Sequence, residues 1–83
     1  MRVHDVVVKN DLDIQKLKMI STEAGRYKSQ VYAYLNGNET QIDVKSLLGL
    51  LFQRIPKGAT VSLRTIGTDD LEAMEAMCVL FEN

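Results

Sequence analysis

Few side chains of this sequence could take part in chemistry: one histidine, one cysteine and a serine that precedes an apolar segment. These are His4 near the start, Cys78 near the end, and Ser46 before a leucine-rich stretch. Histidine and cysteine are nucleophiles and metal ligands, whereas a serine before an apolar segment can cap a helix. The sequence has no phosphate-binding glycine loop, metal-ligand spacing or nucleophile triad. It therefore predicts no independent active site, no metal and no cofactor.

Ser46 stands where a short helix should begin. Its hydroxyl can accept a backbone N–H of the first turn that has no partner inside the helix. A phosphate on such a serine would meet the positive end of the helix dipole and need not unfold the helix. Residue type alone leaves a plain cap and a phosphorylation site both open. The apolar residues that follow are too many for one stripe, so some should stay exposed: Leu47, Leu48, Leu50, Leu51 and Phe52.

The β-branched segment 1–9 should be the strand that carries His4. Its register has two solutions, because side chains alternate between the faces of a strand. Val6 and Val8 can face inward together with His4, or Val3 and Val7 can do so. We favour the first register.

The remaining elements follow from hydrophobic spacing and turn residues. A spacing of three and four from Ile14 to Tyr27 predicts a helix. Alternation over Gln30–Leu35, with Asn36-Gly37 after it, predicts a hairpin whose return strand covers 40–44. Pro56 should end the helix that begins after Ser46, before a strand over 59–65. Gly67-Thr68-Asp69 should cap a last helix whose buried stripe is Leu71, Met74, Met77, Cys78 and Phe81.

Composition limits the class of protein. At 83 residues, with 46% hydrophobic and 25% charged side chains, the chain is one globular domain over residues 1–83. A net charge of -1 argues against nucleic acid as a partner. No apolar run resembles a membrane span or a signal peptide, and Cys78 has no second cysteine to pair with. We expect a cytoplasmic protein that does not bind membranes and whose cysteine packs in the core.

Three segments in the second half of the chain stand out: Lys45-Ser46-Leu47-Leu48-Gly49-Leu50, Ile55-Pro56-Lys57-Gly58 and Gly67-Thr68-Asp69-Asp70. Together they resemble the HPr phosphocarrier family of the phosphoenolpyruvate-dependent sugar phosphotransferase system. The likeness covers essentially the whole chain and is weaker in the N-terminal half, around Gly25-Arg26-Tyr27. It implies an α+β fold, the open-faced β-sandwich, with a four-stranded, mostly antiparallel sheet and three helices on one face. It also marks Asn38-Glu39 as a small insertion at the hairpin tip.

The resemblance implies where phosphate would be accepted, and there this sequence departs from the family. HPr proteins carry a histidine at the mouth of the first helix, in a Gly-(Ile/Leu)-His-(Ala/Thr)-Arg-Pro motif, which takes phosphate from enzyme I and passes it to sugar permease components. Here Asp13 occupies the histidine position, with Gln15 and Lys16 in place of the arginine and the proline. Asp13 is either a helix N-cap or a fixed charge that imitates phosphohistidine. His4 is the only histidine left as a displaced acceptor.

Ser46 matches a regulatory residue of the family. In HPr of Gram-positive bacteria the corresponding serine is phosphorylated by HPr kinase/phosphorylase, and the product is a co-regulator of a LacI-type catabolite repressor. The resemblance thus implies that Ser46 is a phosphorylation site. The partner-binding surface that it implies consists of Leu47, Leu48 and Leu51, together with Asp13, Gln15 and Lys16.

The function expected from these residues is that of a regulatory HPr-like protein that transfers no phosphate, similar to the catabolite-repression member that also lacks the histidine. Its partners would be proteins: the kinase/phosphorylase, the LacI-type repressor or phosphotransferase components. A phosphocarrier with a displaced acceptor is the alternative, and an HPr-like domain with partners outside sugar transport is a third. The sequence leaves the oligomeric state open.

Overall fold

The computed structural model describes residues 1–37 and 40–83, so the expected insertion Asn38-Glu39 lies outside the described residues. The order of elements is the one expected from the sequence. Its strands and helices are β1 (Arg2–Val7), α1 (Ile14–Ala24), β2 (Gln30–Leu35), β3 (Gln41–Asp43), α2 (Leu47–Gln53), β4 (Thr60–Ile66) and α3 (Asp70–Glu82).

The four strands form one antiparallel sheet in the order β1-β4-β2-β3. Strand β4 is central to the pairing, since it contacts β1 on one side and β2 on the other. The helices form the second layer, in which α3 packs on β1 and β4, and α1 packs on α2 and α3. The predicted α+β open-faced sandwich is confirmed.

The favoured register of β1 is also confirmed. Val6 and Val8 are buried, whereas Val3 and Val7 are about half exposed on the open face of the sheet. Because side chains alternate along a strand, His4 lies on the face that carries Val6. His4 therefore faces the helical layer, at the edge strand of the sheet.

The hairpin turn between β2 and β3 begins as predicted. Asn36 and Gly37 both have positive φ, 49° and 74°, which is the conformation that favours these residue types. The return strand is shorter than expected: it covers Gln41–Asp43, whereas the prediction was 40–44. Ile42 and Val44 are nevertheless both buried in the core.

The buried stripe of α3 differs at one residue from the predicted stripe. Met74, Met77 and Phe81 are buried and Cys78 is half-buried, but Leu71 is 42% exposed. At 100° per residue, Leu71 lies roughly 100° around the axis from the centre of the buried stripe. Ala73 takes the buried position instead, so the prediction for Leu71 was wrong.

Hydrogen bonds of Asp69, which we call the Asp69 clip, connect the start of α3 to the loop before β2. The Asp69 carboxylate accepts hydrogen bonds from the Lys28 N–H (2.9 Å), the Ser29 N–H (2.8 Å) and the Ser29 hydroxyl (2.6 Å). These donors, the Ser29 hydroxyl foremost, lower the pKa of Asp69 to about 2. Asp69 stands at the N-cap position but makes no side-chain bond to its own helix, which corrects the predicted cap.

Candidate functional site

Ser46 is the N-cap of α2. Its backbone is extended, with φ -97° and ψ 111°, and its Oγ accepts the Gly49 N–H over 3.1 Å. The Ser46 N–H donates to the Asp43 carbonyl over 3.0 Å, so the backbone before the helix is held as well. Ser46 is half-buried while its hydroxyl caps the helix. This geometry is the one expected from the sequence.

Three contacts of Lys45 tie the residue before the cap to neighbouring elements. The Lys45 ammonium donates to the Tyr27 carbonyl over 2.9 Å, and the Ser21 hydroxyl donates to the Lys45 carbonyl over 2.8 Å. The Lys45 N–H donates to the Asp43 carboxylate over 3.0 Å. Because Ser21 belongs to α1, these bonds set the position of Ser46 relative to that helix.

Helix α2 exposes much of its apolar surface. Leu50 is fully buried and anchors the helix, and Leu47 is partly buried against the core. Leu48 is 70% exposed, Phe52 is 84% exposed and Leu51 is 37% exposed. A helix of seven residues with three exposed large side chains is an apolar surface that monomeric folding does not require. We call Leu47, Leu48, Leu51 and Phe52 the α2 rim.

Asp13 is exposed and is the N-cap of α1. Its carboxylate accepts the Lys16 N–H over 2.8 Å, and its carbonyl accepts the Leu17 N–H over 2.9 Å. The interpretation of Asp13 as a cap is thus confirmed. Gln15 is exposed and Lys16 is half-buried in the same first turn. The cap leaves the Asp13 charge at the protein surface.

A groove of about 410 Å³ lies between the start of α1 and helix α2. Leu12 and Ile14, the two neighbours of Asp13, line one side, and Leu51 of the α2 rim lines the other. The structure therefore brings the start of α1 together with part of the α2 rim. Ser46, Leu47 and Leu48 are not among the lining residues, which are Leu12, Ile14, Leu17, Leu50, Leu51, Arg54, Ile55 and Pro56.

Arg54 is a groove residue that sequence reasoning missed. It is the C-cap of α2, in the left-handed region with φ 47°, and it is exposed. Pro56 carried the signal, because a helix that ends just before a proline places the preceding residues in its cap. Arg54 supplies the cation of this otherwise apolar groove.

His4 does not line this groove. It lies on β1, paired across the ladder with Leu63 of β4, and it is exposed. A phosphoryl group on His4 would thus be presented from a different element than the helix mouth that carries Asp13.

Within residues 1–37 and 40–83, no helix combines the length and apolar character needed to cross a membrane.

Comparison with known proteins assigns this architecture to a class. The family model described as the PTS HPr component phosphorylation site matches residues 2–83. The chain is 32% identical to the HPr-like protein Crh of Halalkalibacterium halodurans over 78 residues, which cover 94% of this chain and 90% of that protein. It is 35% identical to the phosphocarrier protein HPr of Cupriavidus necator, over 94% of this chain and 85% of that protein. The chain therefore belongs to the HPr family of the phosphotransferase system.

Solved structures give the same fold. The crystal structure of the phosphocarrier protein HPr from Bacillus anthracis matches with a TM-score of 0.89 at 24% identity, over 98% of this chain and 96% of that chain. At 24% identity this match concerns the fold alone.

The sequence relatives carry two kinds of name. Some are named as phosphocarrier proteins and others as HPr-like proteins.

Proposed function

We propose that this chain is a regulatory HPr-like protein that transfers no phosphate and acts through protein contacts. The observation that carries the proposal is Asp13 at the mouth of α1, where the family motif places its histidine. The Asp13 carboxylate accepts the Lys16 N–H and offers no nucleophilic nitrogen. The groove beside it and the α2 rim nevertheless present a continuous apolar surface to partners.

Ser46 is the regulatory residue in this proposal. A phosphoryl group on its Oγ would stand at the start of α2, next to the rim residues Leu47 and Leu48. Ser46 is only half-buried, and the Gly49 N–H that its hydroxyl now accepts would remain a donor for a phosphate oxygen. Phosphorylation would therefore change the charge of the rim while leaving the helix in place.

The partners of this surface are proteins in the proposal: HPr kinase/phosphorylase, a LacI-type catabolite repressor or phosphotransferase components. Membership of the HPr family supports proteins as the class of partner. A net charge of -1 and the apolar rim favour protein over nucleic acid. The proposal places the protein in the cytoplasm, without an independent active site and without a membrane partner.

A gain-of-function variant tests the role assigned to Asp13. Asp13→His combined with Gln15→Arg restores the acceptor and the cation of the family motif on the scaffold of α1. With phosphoenolpyruvate and enzyme I, the double variant should acquire acid-labile phosphate, and the wild type should acquire none. The matched control is Asp13→Asn with Gln15→Arg, which retains a cap and lacks the imidazole. Phosphate uptake by the wild type would overturn the proposal.

The alternative is a phosphocarrier whose acceptor is His4, and the exposure of that side chain favours it. The same incubation distinguishes it, because the wild type would then take up phosphate that His4→Gln loses. Retention of phosphate in His4→Gln would exclude His4 as the acceptor.

A further inference from the structure

His4 of β1 and Cys78 and Glu82 of α3 lie together where the edge strand meets the last helix. One ligand atom from each residue, a ring nitrogen, the sulfur and a carboxylate oxygen, lies within 4.8 Å of the other two. Cys78 and Glu82 are half-buried, and His4 is exposed. His4 lies near the N-terminus, whereas Cys78 and Glu82 lie near the C-terminus, so no short sequence motif predicts the cluster.

The fold explains why these side chains meet. His4 lies on the face of β1 that carries Val6, and α3 packs against β1 on that face. Cys78 and Glu82 are four residues apart on α3, so they lie one above the other on the same side of the helix. The strand thus supplies one side chain and one turn of helix supplies two, all from regular elements.

The three groups have the chemistry of a zinc site. Imidazole nitrogen, thiolate sulfur and carboxylate oxygen bind Zn²⁺ at about 2.0–2.3 Å, with tetrahedral geometry. Ligand atoms at those bond lengths and angles are roughly 3.3–3.6 Å apart. The observed separations, at most 4.8 Å, are therefore closed by side-chain movements of about 1 Å. A thiolate beside an imidazole selects a borderline cation over Mg²⁺ or Ca²⁺.

We propose that His4, Cys78 and Glu82 bind a Zn²⁺ ion, with its fourth position left to water or to an outside ligand. On binding, the S–H bond of Cys78 breaks, the S–Zn bond forms and the thiol proton leaves to solvent. The last turn of α3, which holds Glu82, places the negative end of the helix dipole beside the cation. A cation between Cys78 and Glu82 would offset the repulsion of thiolate and carboxylate.

The test uses the full chain without a histidine tag, titrated with Co²⁺ as a spectroscopic substitute for Zn²⁺. One equivalent of Co²⁺ should produce the ligand-field absorption of a tetrahedral site and a thiolate-to-cobalt charge-transfer band, both abolished by Zn²⁺. Cys78→Ser should remove the charge-transfer band. His4→Gln and Glu82→Gln should each weaken Zn²⁺ affinity, measured by competition with a chelating dye, by about tenfold or more.

Glu72→Gln is the matched control, because Glu72 is an exposed glutamate of the same helix outside the cluster. It should bind Co²⁺ and Zn²⁺ like the wild type. Far-UV circular dichroism of each metal-free variant separates loss of a ligand from loss of the fold, and only folded variants are compared. Absence of the charge-transfer band in the wild type, or an unchanged Zn²⁺ affinity in folded His4→Gln, overturns the proposal.

Discussion

The Oγ of Ser46 lies 3.1 Å from the backbone nitrogen of Gly49 and accepts its N–H. This bond caps the start of α2 at a half-buried residue. The helix that it begins is only seven residues long and exposes Leu48 and Phe52. The cap and the proposed phosphorylation site are therefore the same residue, and the apolar rim follows directly after it.

Substitution of Ser46 should change stability in a charge-dependent manner. Ser46→Ala removes the cap and should lower the free energy of unfolding by about 0.5–2 kcal/mol. Ser46→Asp keeps an acceptor and adds a negative charge at the helix N-terminus, so it should melt at or above the temperature of Ser46→Ala. Thermal melts in low and high salt provide the measurement, and the difference between the variants should shrink as salt screens the charge. A Ser46→Asp protein much less stable than Ser46→Ala would mean that the hydroxyl is buried.

Asp13 offers the same comparison at α1. Asp13→Ala leaves the Lys16 N–H without its acceptor and should lower the free energy of unfolding by about 0.5–2 kcal/mol. Asp13→Asn retains a side-chain oxygen and should be affected much less. Urea unfolding of the two variants beside the wild type measures the difference. Identical midpoints for all three proteins would show that the cap contributes nothing, and the charge of Asp13 would then be its remaining role.

Gly67 should tolerate no side chain. A Cβ at this position would lie 2.6 Å from the Ser29 Cα and 2.5 Å from the Ser29 Oγ, so the backbone itself would have to move. Gly67→Ala should therefore lower the free energy of unfolding by about 1–3 kcal/mol. Gly25→Ala is the control, since a Cβ there meets only ordinary contacts at 3.4 Å and φ is -66°. Equal melting temperatures for the two variants would contradict the close approach of Gly67 to Ser29.

The Asp69 clip predicts that the stability of the fold depends on pH. The pKa of Asp69 falls from 3.8 to about 2 in the folded protein, with the Ser29 hydroxyl as the largest cause and the Lys28 N–H next. A carboxylate with a lowered folded pKa stabilises the fold fully above its unfolded pKa, and loses that contribution as pH falls toward 2. The melting temperatures of the wild type and Asp69→Asn should thus differ at pH 6 and converge by about pH 2.

Two further variants test whether the pH dependence arises from the hydrogen bonds of Asp69. Ser29→Ala removes the largest cause of the lowered Asp69 pKa. In that background, the difference in melting temperature between the protein with Asp69 and the Asp69→Asn variant should change less between pH 6 and pH 2. Glu72→Gln alters an exposed carboxylate of the same helix and should leave the profile as it is. A difference between wild type and Asp69→Asn that stays constant from pH 6 to pH 2 would contradict the Asp69 clip.

Local features of the fold could be predicted because single residues determine them. Val6 and Val8 set the face of β1, Asn36-Gly37 marked the hairpin, and Ser46 and Asp13 are side chains whose capping geometry is local. The order of strands in the sheet was not predicted, since the pairing of β1 with β4 joins segments that are distant in the sequence.

Features that depend on contacts between distant segments could not be read in this way. The carboxylate of Asp69 was expected to cap its own helix, but its donors come from Ser29 and Lys28, about forty positions earlier. The cluster of His4 and Cys78 has the same origin. Sequence reasoning placed each of the two on a core-facing surface, yet only the packing of α3 on β1 makes them neighbours.

Phosphorylation of Ser46 by HPr kinase/phosphorylase with ATP tests the central claim most directly, with the mass of the intact protein as the readout. The wild type should gain one phosphoryl group, Ser46→Ala should gain none, and the phosphorylated protein should melt at or above the temperature of the unmodified one. A histidine-containing HPr that the same kinase phosphorylates serves as the positive control. If that control is modified while the wild type stays unmodified, or if Ser46→Ala is modified equally, the regulatory role assigned to Ser46 is wrong.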